Sequence, residues 1–189
     1  MIDDALASAI AAKKAALDAS RPLWGPALQA LEHYYDVDLT YTSNAIEGNT
    51  LTHSETALVI EKGITIGGKT VSEHLQAQDL HAAVRFLREL AGAKRPVGEA
   101  DVVERHRRVV LRSKPEIAGV HARLPRRVAG SANVFPNAAR IPDLMDAFGD
   151  WLEAAPDTCL AAFEAHYRLV AIHPFSDGNG RTARLLMNL

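Results

Sequence analysis

The sequence predicts a mainly α-helical fold. Apolar residues recur at spacings of three and four along most of the chain, which is the pattern of an amphipathic helix. Two capping boxes precede helical stretches, and segments with the character of a β-strand are short and few. No repeat, low-complexity tract or long linker divides the 189 residues, so we expect one domain over residues 1–189.

The first part of the chain predicts two helices. Residues 3–18 are rich in alanine, which has the highest helix propensity. Three chain breakers follow, at Pro22, Gly25 and Pro26. After them, Leu28, Leu31 and Tyr35 share one face of a second helix.

Two capping boxes predict the next helices. Thr52 with Glu55 starts a short helix that ends near Gly63, and Thr70 with Glu73 starts a long one. The apolar stripe of the long helix consists of Leu80, Ala83, Val84, Leu87 and Leu90.

Irregular segments alternate with helices further on. Residues 64–70 combine β-branched residues with paired glycines and predict a small hairpin or a tight loop. Residues 98–112 are helical in pattern, whereas residues 113–140 lack periodicity and predict a loop with a short hairpin.

The last helices lead to a polar turn. Pro142 fits the first turn of a helix whose face holds Leu144, Phe148 and Leu152. Asp157 is the expected cap of the following helix. Its expected apolar face consists of Leu160, Phe163, Tyr167 and Val170. A Gly-rich turn begins at His173, and residues 181–189 are helical again.

Composition and charge exclude several classes of protein. Hydrophobic content is 48%, charged content is 23% and net charge is -2, so nothing drives binding to nucleic acid or anionic lipid. The lone Cys159 cannot form an internal disulfide. No signal peptide and no membrane-spanning apolar run is present in the sequence, so we expect a cytoplasmic protein without membrane association.

A basic stretch occupies residues 105–127. Its members are Arg105, His106, Arg107, Arg108, Arg112, Lys114, Arg123, Arg126 and Arg127. Aromatic residues do not alternate with them and acidic residues dilute them, so the stretch is interpreted as a solvated helix face and loop, not as a nucleic-acid site.

Residues 173–181 read His-Pro-Phe-Ser-Asp-Gly-Asn-Gly-Arg and predict an anion site. Gly178, Asn179 and Gly180 tolerate positive φ and let backbone N–H groups converge. A helix starts directly afterwards, and its N-terminus favours phosphate. Phe175 is the expected apolar anchor of the turn.

Four side chains around this turn supply the remaining chemistry. Arg181 and Arg184 lie one helical turn apart and can reach the same polyphosphate. Asp177 can hold Mg²⁺ through one carboxylate. His173 is the candidate base, because histidine has an unperturbed pKa of about 6.5. Together these parts indicate phosphoryl-type transfer.

The nine-residue string resembles the central motif of the Fic family, His-Pro-Phe-x-Asp/Glu-Gly-Asn-Gly-Arg, with every fixed position filled. The resemblance implies a Fic-type helical bundle with a small β-hairpin flap, and a catalytic core over residues 72–189. It implies transfer of AMP from ATP to a Ser, Thr or Tyr hydroxyl of a protein, with His173 as the base and Asp177 on Mg²⁺. By the same resemblance, the ATP phosphates are bound by Gly178, Asn179, Gly180 and Arg181.

In the family, the irregular stretch before the motif carries a flap that pairs with the target's modifiable segment. Here that flap corresponds to residues 119–135. Relatives often have an aromatic–Arg pair where this chain has His121 and Ala122.

Residues 43–48 read Ser-Asn-Ala-Ile-Glu-Gly and resemble the inhibitory motif of the family, Ser/Thr-x-x-x-Glu-Gly/Asn. The resemblance implies an inhibitory segment over residues 40–50, in which Glu47, with Ser43, blocks the γ-phosphate site by pairing with Arg181. The alternative is a plain helix end with Gly48 as its cap.

The sequence therefore predicts an adenylyltransferase that is inhibited in cis and can label itself. Removal of AMP, transfer of another nucleotide or phosphate, and an ATP-binding module without chemistry stay open. Four apolar residues near the end of the sequence have to be buried, and a homo-oligomer is one way to bury Leu185, Leu186, Met187 and Leu189.

Overall fold

A computed structural model describes residues 3–21, 25–93, 95–124 and 134–189. Within these residues the chain forms the helices α1 (Asp4–Ala19), α2 (Pro26–Ile46), α3 (His53–Lys62), α4 (Val71–Ala93), α5 (Glu99–Val110), α6 (Ile141–Ala154), α7 (Cys159–Ile172) and α8 (Asn179–Met187). Short 3₁₀ turns cover Pro115–Ile117 and Ala138–Arg140. The prediction of a mainly helical fold is confirmed.

The chain divides into two compact units, Met1–Tyr35 and Asp36–Leu189, with the second beginning inside α2. In the first unit, the Asp3 carboxylate caps α1 by accepting the N–H of Leu6. The expected apolar face of α2 is not buried there, since Leu31 and Tyr35 are exposed. In the described part of the chain, no helix combines the length and apolarity needed to cross a membrane.

Both predicted capping boxes form. The Thr52 hydroxyl accepts the N–H of Glu55, whose carboxylate accepts the N–H of Thr52, and α3 ends at Gly63 with φ 63°. Thr70 and Glu73 exchange the same pair of hydrogen bonds at the start of α4. The predicted stripe of α4 is buried throughout.

Three apolar clusters form the core of the second unit, and α5 and α8 contribute to the two larger ones. The first contains Val102, Ile141, Met145, Phe148, Ala165, Leu169, Phe175, Ala183 and Leu186. The second contains Leu80, Ala83, Val84, Leu87, Val109, Val110 and Leu185. Because α5 and α8 are fixed from two sides, the turn that precedes α8 has a rigid support.

The predictions for α7 are wrong in two respects. Thr158 caps the helix, not Asp157, and its hydroxyl accepts the N–H of Ala161. The helix buries the narrow face of Ala165 and Leu169, where it packs on α6 and α8. The larger residues of the expected face, Leu160, Phe163 and Tyr167, are exposed.

The predicted β-hairpins are not found in the described residues. Residues 64–70 form a tight loop, and His121 makes a single antiparallel bridge to Phe175. Most of the expected flap, residues 125–133, lies outside the described residues.

Candidate active site

The motif turn begins where α7 ends, at His173. This residue adopts φ 52° and ψ 55°, a left-handed conformation that residues other than glycine rarely take. Its N–H donates to the Leu169 carbonyl at 2.9 Å, which closes the helix. The next carbonyl, of Pro174, accepts the N–H of Ala122 at 2.9 Å and ties the turn to the preceding loop.

The His173 ring is oriented by its neighbours. Its Nδ1 lies 3.3 Å from the Val170 carbonyl, and it stacks on Phe135 with 4.0 Å between ring centroids. Since a carbonyl only accepts hydrogen bonds, Nδ1 carries the proton in this contact and the lone pair is on Nε2. Nε2 then has the lone pair through which the ring can accept a proton.

Phe175 anchors the turn, as predicted, by packing on a buried histidine. Phe175 is fully buried, and its ring lies parallel to that of His106 at 3.6 Å. Nδ1 of His106 accepts the N–H of Gly119 at 3.1 Å, so Nε2–H donates to the Asp177 carbonyl at 2.9 Å. Burial lowers the pKa of His106 to about 4, so the ring is neutral near pH 7.

Asn179 holds the turn closed through its side chain. Its Oδ1 accepts the N–H of Phe175 at 2.9 Å and its Nδ2 donates to the Phe175 carbonyl at 2.7 Å. The amide oxygen and one of the two amide N–H groups are thereby used to hold the turn, and the backbone N–H of Asn179 lies in the uncapped first turn of α8. Gly178 has φ 77°, and a Cβ there would lie 3.1 Å from Val110 Cγ1.

The start of α8 has the features of an anion site. Gly178 offers no side-chain cap, which leaves the first N–H groups of the helix to another acceptor. Arg181 is 2% exposed, and its only ion pair among the described residues is a 3.4 Å contact of Nη2 with Asp177. Nε and Nη1 of Arg181 are buried without a hydrogen-bond partner in the described residues. A buried guanidinium in this state is suited to a phosphate oxygen.

Asp177 fits a divalent cation as a single carboxylate. Burial raises its pKa, but a hydrogen bond from Lys114, the charge of Arg181 and the Gly178 N–H outweigh burial and keep the pKa below its usual value. No cluster of three His, Cys, Asp or Glu suited to a metal ion occurs in the described part of the chain. A cation at Asp177 therefore needs phosphate or water for its other ligands.

The predicted pair of Glu47 with Arg181 is wrong, because Glu47 pairs with Arg184. Nη2 of Arg184 donates to Glu47 Oε1 at 2.6 Å and to the Ser43 carbonyl at 3.0 Å. Nε of the same guanidinium donates to the Ser43 hydroxyl at 2.8 Å. Arg181 is instead turned to Asp177, one helical turn earlier on its own segment.

The Glu47 carboxylate nevertheless lies within the glycine turn. A Cβ on Gly180 would be 2.6 Å from Glu47 Oε1 and 3.0 Å from Arg184 Nη1. The segment is held on α4 by Asn44, which donates to the Gln76 carbonyl at 3.2 Å, and by Asn49, which donates to the Glu73 carbonyl at 3.0 Å. Gly48 has φ 89°, so the alternative prediction of a glycine at the helix end is also correct.

Sequence reasoning missed three residues of the basic stretch. The predicted solvated face is wrong for Arg105 and His106, which are fully buried, and Lys114 contacts Asp177. The periodicity contained a signal for His106, because Val102 and Val110 lie four residues to either side and are buried on the same face. No sequence signal connected Lys114 with a residue 63 positions away.

Comparison with known proteins shows what the chain is similar to. The Fic/DOC family model matches residues 96–189. A protein adenylyltransferase Fic from Nematostella vectensis is 40% identical over 153 residues, covering 78% of this chain and 35% of that protein. A second, from Drosophila willistoni, is 35% identical over 191 residues, covering 99% and 38%. The chain thus spans about a third of the length of these curated relatives.

Solved structures give the same result. Fic-1 from C. elegans has a TM-score of 0.78 and 34% identity, covering 98% of this chain and 57% of that one. A Fic-domain signaling protein from Bacteroides thetaiotaomicron has a TM-score of 0.81 and 29% identity, covering 89% and 66%. The matched residues 96–189 include the whole motif turn and α8, so this part of the chain is a Fic/DOC domain.

Proposed function

We propose that this chain transfers AMP from ATP to a hydroxyl group of a protein. The observation that carries the proposal is the convergence of His173, the uncapped start of α8 and the buried guanidinium of Arg181 on one turn. Relatives that bear the name protein adenylyltransferase support the same chemistry.

In this proposal His173 Nε2 takes the proton of a Ser, Thr or Tyr hydroxyl. The oxygen forms a bond to the α-phosphorus, the bond between the α-phosphorus and the bridging oxygen breaks, and pyrophosphate leaves. The N–H groups of Gly180 and its neighbours hold the phosphates, and Arg181 binds the γ-phosphate through Nε and Nη1. Mg²⁺, held by Asp177, would neutralise phosphate charge.

Glu47 inhibits this reaction by occupying Arg184. The carboxylate and the Ser43 oxygens take three of the hydrogen bonds that Arg184 could otherwise give to phosphate. A carboxylate next to Gly180 also repels the phosphates of ATP. The protein itself is one candidate target, and a cytoplasmic location and a homo-oligomer remain predictions.

A second candidate activity is removal of AMP from a modified protein. The position of the Glu47 carboxylate beside Gly180 favours it, because a carboxylate there can orient a water molecule toward a bound phosphate. Release of AMP from a labelled target by wild type, with no release by Glu47→Gly, is the outcome that this activity predicts.

The experiment that tests transfer uses the Glu47→Gly variant with Mg²⁺ and ATP labelled at either the α- or the γ-phosphate. We expect protein-bound label from the α-phosphate only. In the Glu47→Gly background, His173→Ala should abolish labelling, whereas His166→Ala, also on α7, should retain it. Label from the γ-phosphate would replace adenylyl transfer with phosphoryl transfer, and labelling that survives His173→Ala would exclude His173 as the base.

A further inference from the structure

Lys114 lies outside the motif, but its ammonium group contacts the carboxylate of Asp177 in the motif turn. Lys114 follows the end of α5, and its backbone N–H donates to the Val110 carbonyl at 2.8 Å. Its Nζ then lies 2.5 Å from Asp177 Oδ2. The other oxygen, Oδ1, accepts the Gly178 N–H at 2.6 Å and faces Arg181 Nη2 at 3.4 Å. Both carboxylate oxygens of Asp177 therefore have donors, and the donor on Oδ2 is a full positive charge.

The two cations on Asp177 differ in their freedom. The Arg181 side chain is 3% exposed, whereas that of Lys114 is 41% exposed. A divalent cation that takes Oδ2 would meet the ammonium at a distance where two like charges repel strongly. Lys114 can leave, because its long side chain has solvent beside it.

Without a divalent cation, the negative charge of Asp177 opposes the binding of a polyphosphate at this turn. Asp177 directly precedes the glycine turn, and Glu47 adds a second carboxylate beside Gly180. A polyphosphate entering without a divalent cation would meet both negative charges. Arg184 compensates Glu47, and Lys114 is the exposed cation that compensates Asp177.

We propose that Lys114 is a nucleotide-site residue that takes the place of a divalent cation on Asp177 while the site holds no metal ion. This inference rests on the proposed function, since it assumes that ATP phosphates bind at the start of α8. It has two consequences of opposite direction. Without the ammonium, ATP binds more weakly when no divalent cation is present. The cation itself then binds at lower concentration, because it no longer displaces Lys114.

The test measures ATP binding by calorimetry in the Glu47→Gly/His173→Ala background, in EDTA and over a series of Mg²⁺ concentrations. Lys114→Met should weaken binding in EDTA by about tenfold, because one close charge is lost. At saturating Mg²⁺ the difference should fall below about threefold, and the Mg²⁺ concentration for half of the effect should decrease. Lys114→Arg should keep the EDTA affinity.

Lys62→Met is the matched control, because it removes the same charge from an exposed position at the end of α3. Equal effects of Lys62→Met and Lys114→Met in EDTA, with the same Mg²⁺ dependence, would overturn the inference and leave an ordinary surface ion pair. If Glu47→Gly labels protein and the background binds ATP, that result overturns the role of Lys114 alone. If no variant binds ATP under any condition, the proposed function fails and the inference fails with it.

Discussion

At the scale of single residues, the burial of His106 makes the stability of the fold depend on pH. The ring is buried between Phe175 and the two backbone groups that fix its tautomer. Burial lowers its pKa from 6.5 to about 4. A depressed pKa means that the folded state favours the neutral ring. The stabilisation is therefore complete above pH 6.5 and is lost as the pH falls from 6.5 toward 4.

We expect His106 to contribute about 3 kcal/mol to this loss, since each pKa unit corresponds to about 1.4 kcal/mol. Denaturant titrations between pH 7.5 and pH 4 on wild type and His106→Gln measure the effect by difference. The Gln variant should be less stable at pH 7 and should show a shallower pH dependence. Parallel pH profiles would contradict a neutral His106.

Arg105 is a second buried residue of α5, and nothing in the described residues pairs with its guanidinium by a hydrogen bond. All three nitrogens are buried without a partner, and burial lowers the pKa to about 10 despite the charge of Asp101. Replacing a buried charge by an apolar side chain of similar length removes a desolvation cost.

Arg105→Met should therefore raise the free energy of unfolding by about 1 kcal/mol or more. The control is Arg108→Met, on the same helix, which loses a partly exposed pair with Glu104 and a contact over Phe86 and should cost about 0.5 kcal/mol. Chemical denaturation measures both variants. A clear loss of stability in Arg105→Met would show that the guanidinium has a favourable role in the fold.

At the scale of elements, the turn between α7 and α8 depends on Asn179. Its amide makes two hydrogen bonds to the backbone of Phe175, and all of these groups are buried. Asn179→Ala leaves a buried N–H and a buried carbonyl unpaired, so the variant should lose about 2 to 4 kcal/mol of stability.

Asn137→Ala is the matched control for this prediction. The Asn137 side chain is exposed and caps a short 3₁₀ turn, so its removal should cost about 1 kcal/mol or less. Thermal unfolding of both variants measures the difference. Equal losses would mean that the Asn179 amide does not hold the turn and is available for phosphate.

The elements that the sequence predicted well are those with local signals. The capping boxes of Thr52 and Thr70 and the stripe of α4 depend on residues three or four apart, and all of them form. Which face of α7 is buried depends on the neighbouring helices. They bury the small Ala165, whereas the expected Phe163 is exposed. Periodicity locates a helix, but it does not state which of two apolar faces packs.

At the scale of the whole molecule, local sequence patterns likewise predict only the part of the site that lies within one turn. The motif gave the local cluster of His173, Phe175 and Asp177, because these residues lie within one turn. The pairing of Glu47 joins segments 137 residues apart, and the sequence could not separate Arg181 from Arg184, one helical turn away, as its partner. The structure resolves that choice, because Arg181 is turned to Asp177 and Arg184 to Ser43.

We propose that Glu47, by holding Arg184, restrains the transfer of AMP by this chain. The initial rate of AMP incorporation from α-labelled ATP, measured for wild type and Glu47→Gly, tests this restraint. Asp157→Gly, which removes an exposed carboxylate from the loop before α7, is the control.

Loss of a charge-assisted pair worth about 1.5 to 3 kcal/mol should raise the rate of Glu47→Gly by about tenfold or more over wild type, with Asp157→Gly unchanged. Equal rates for wild type and Glu47→Gly, at a measurable level of incorporation, would show that the Glu47–Arg184 pair is a structural contact without control over the reaction.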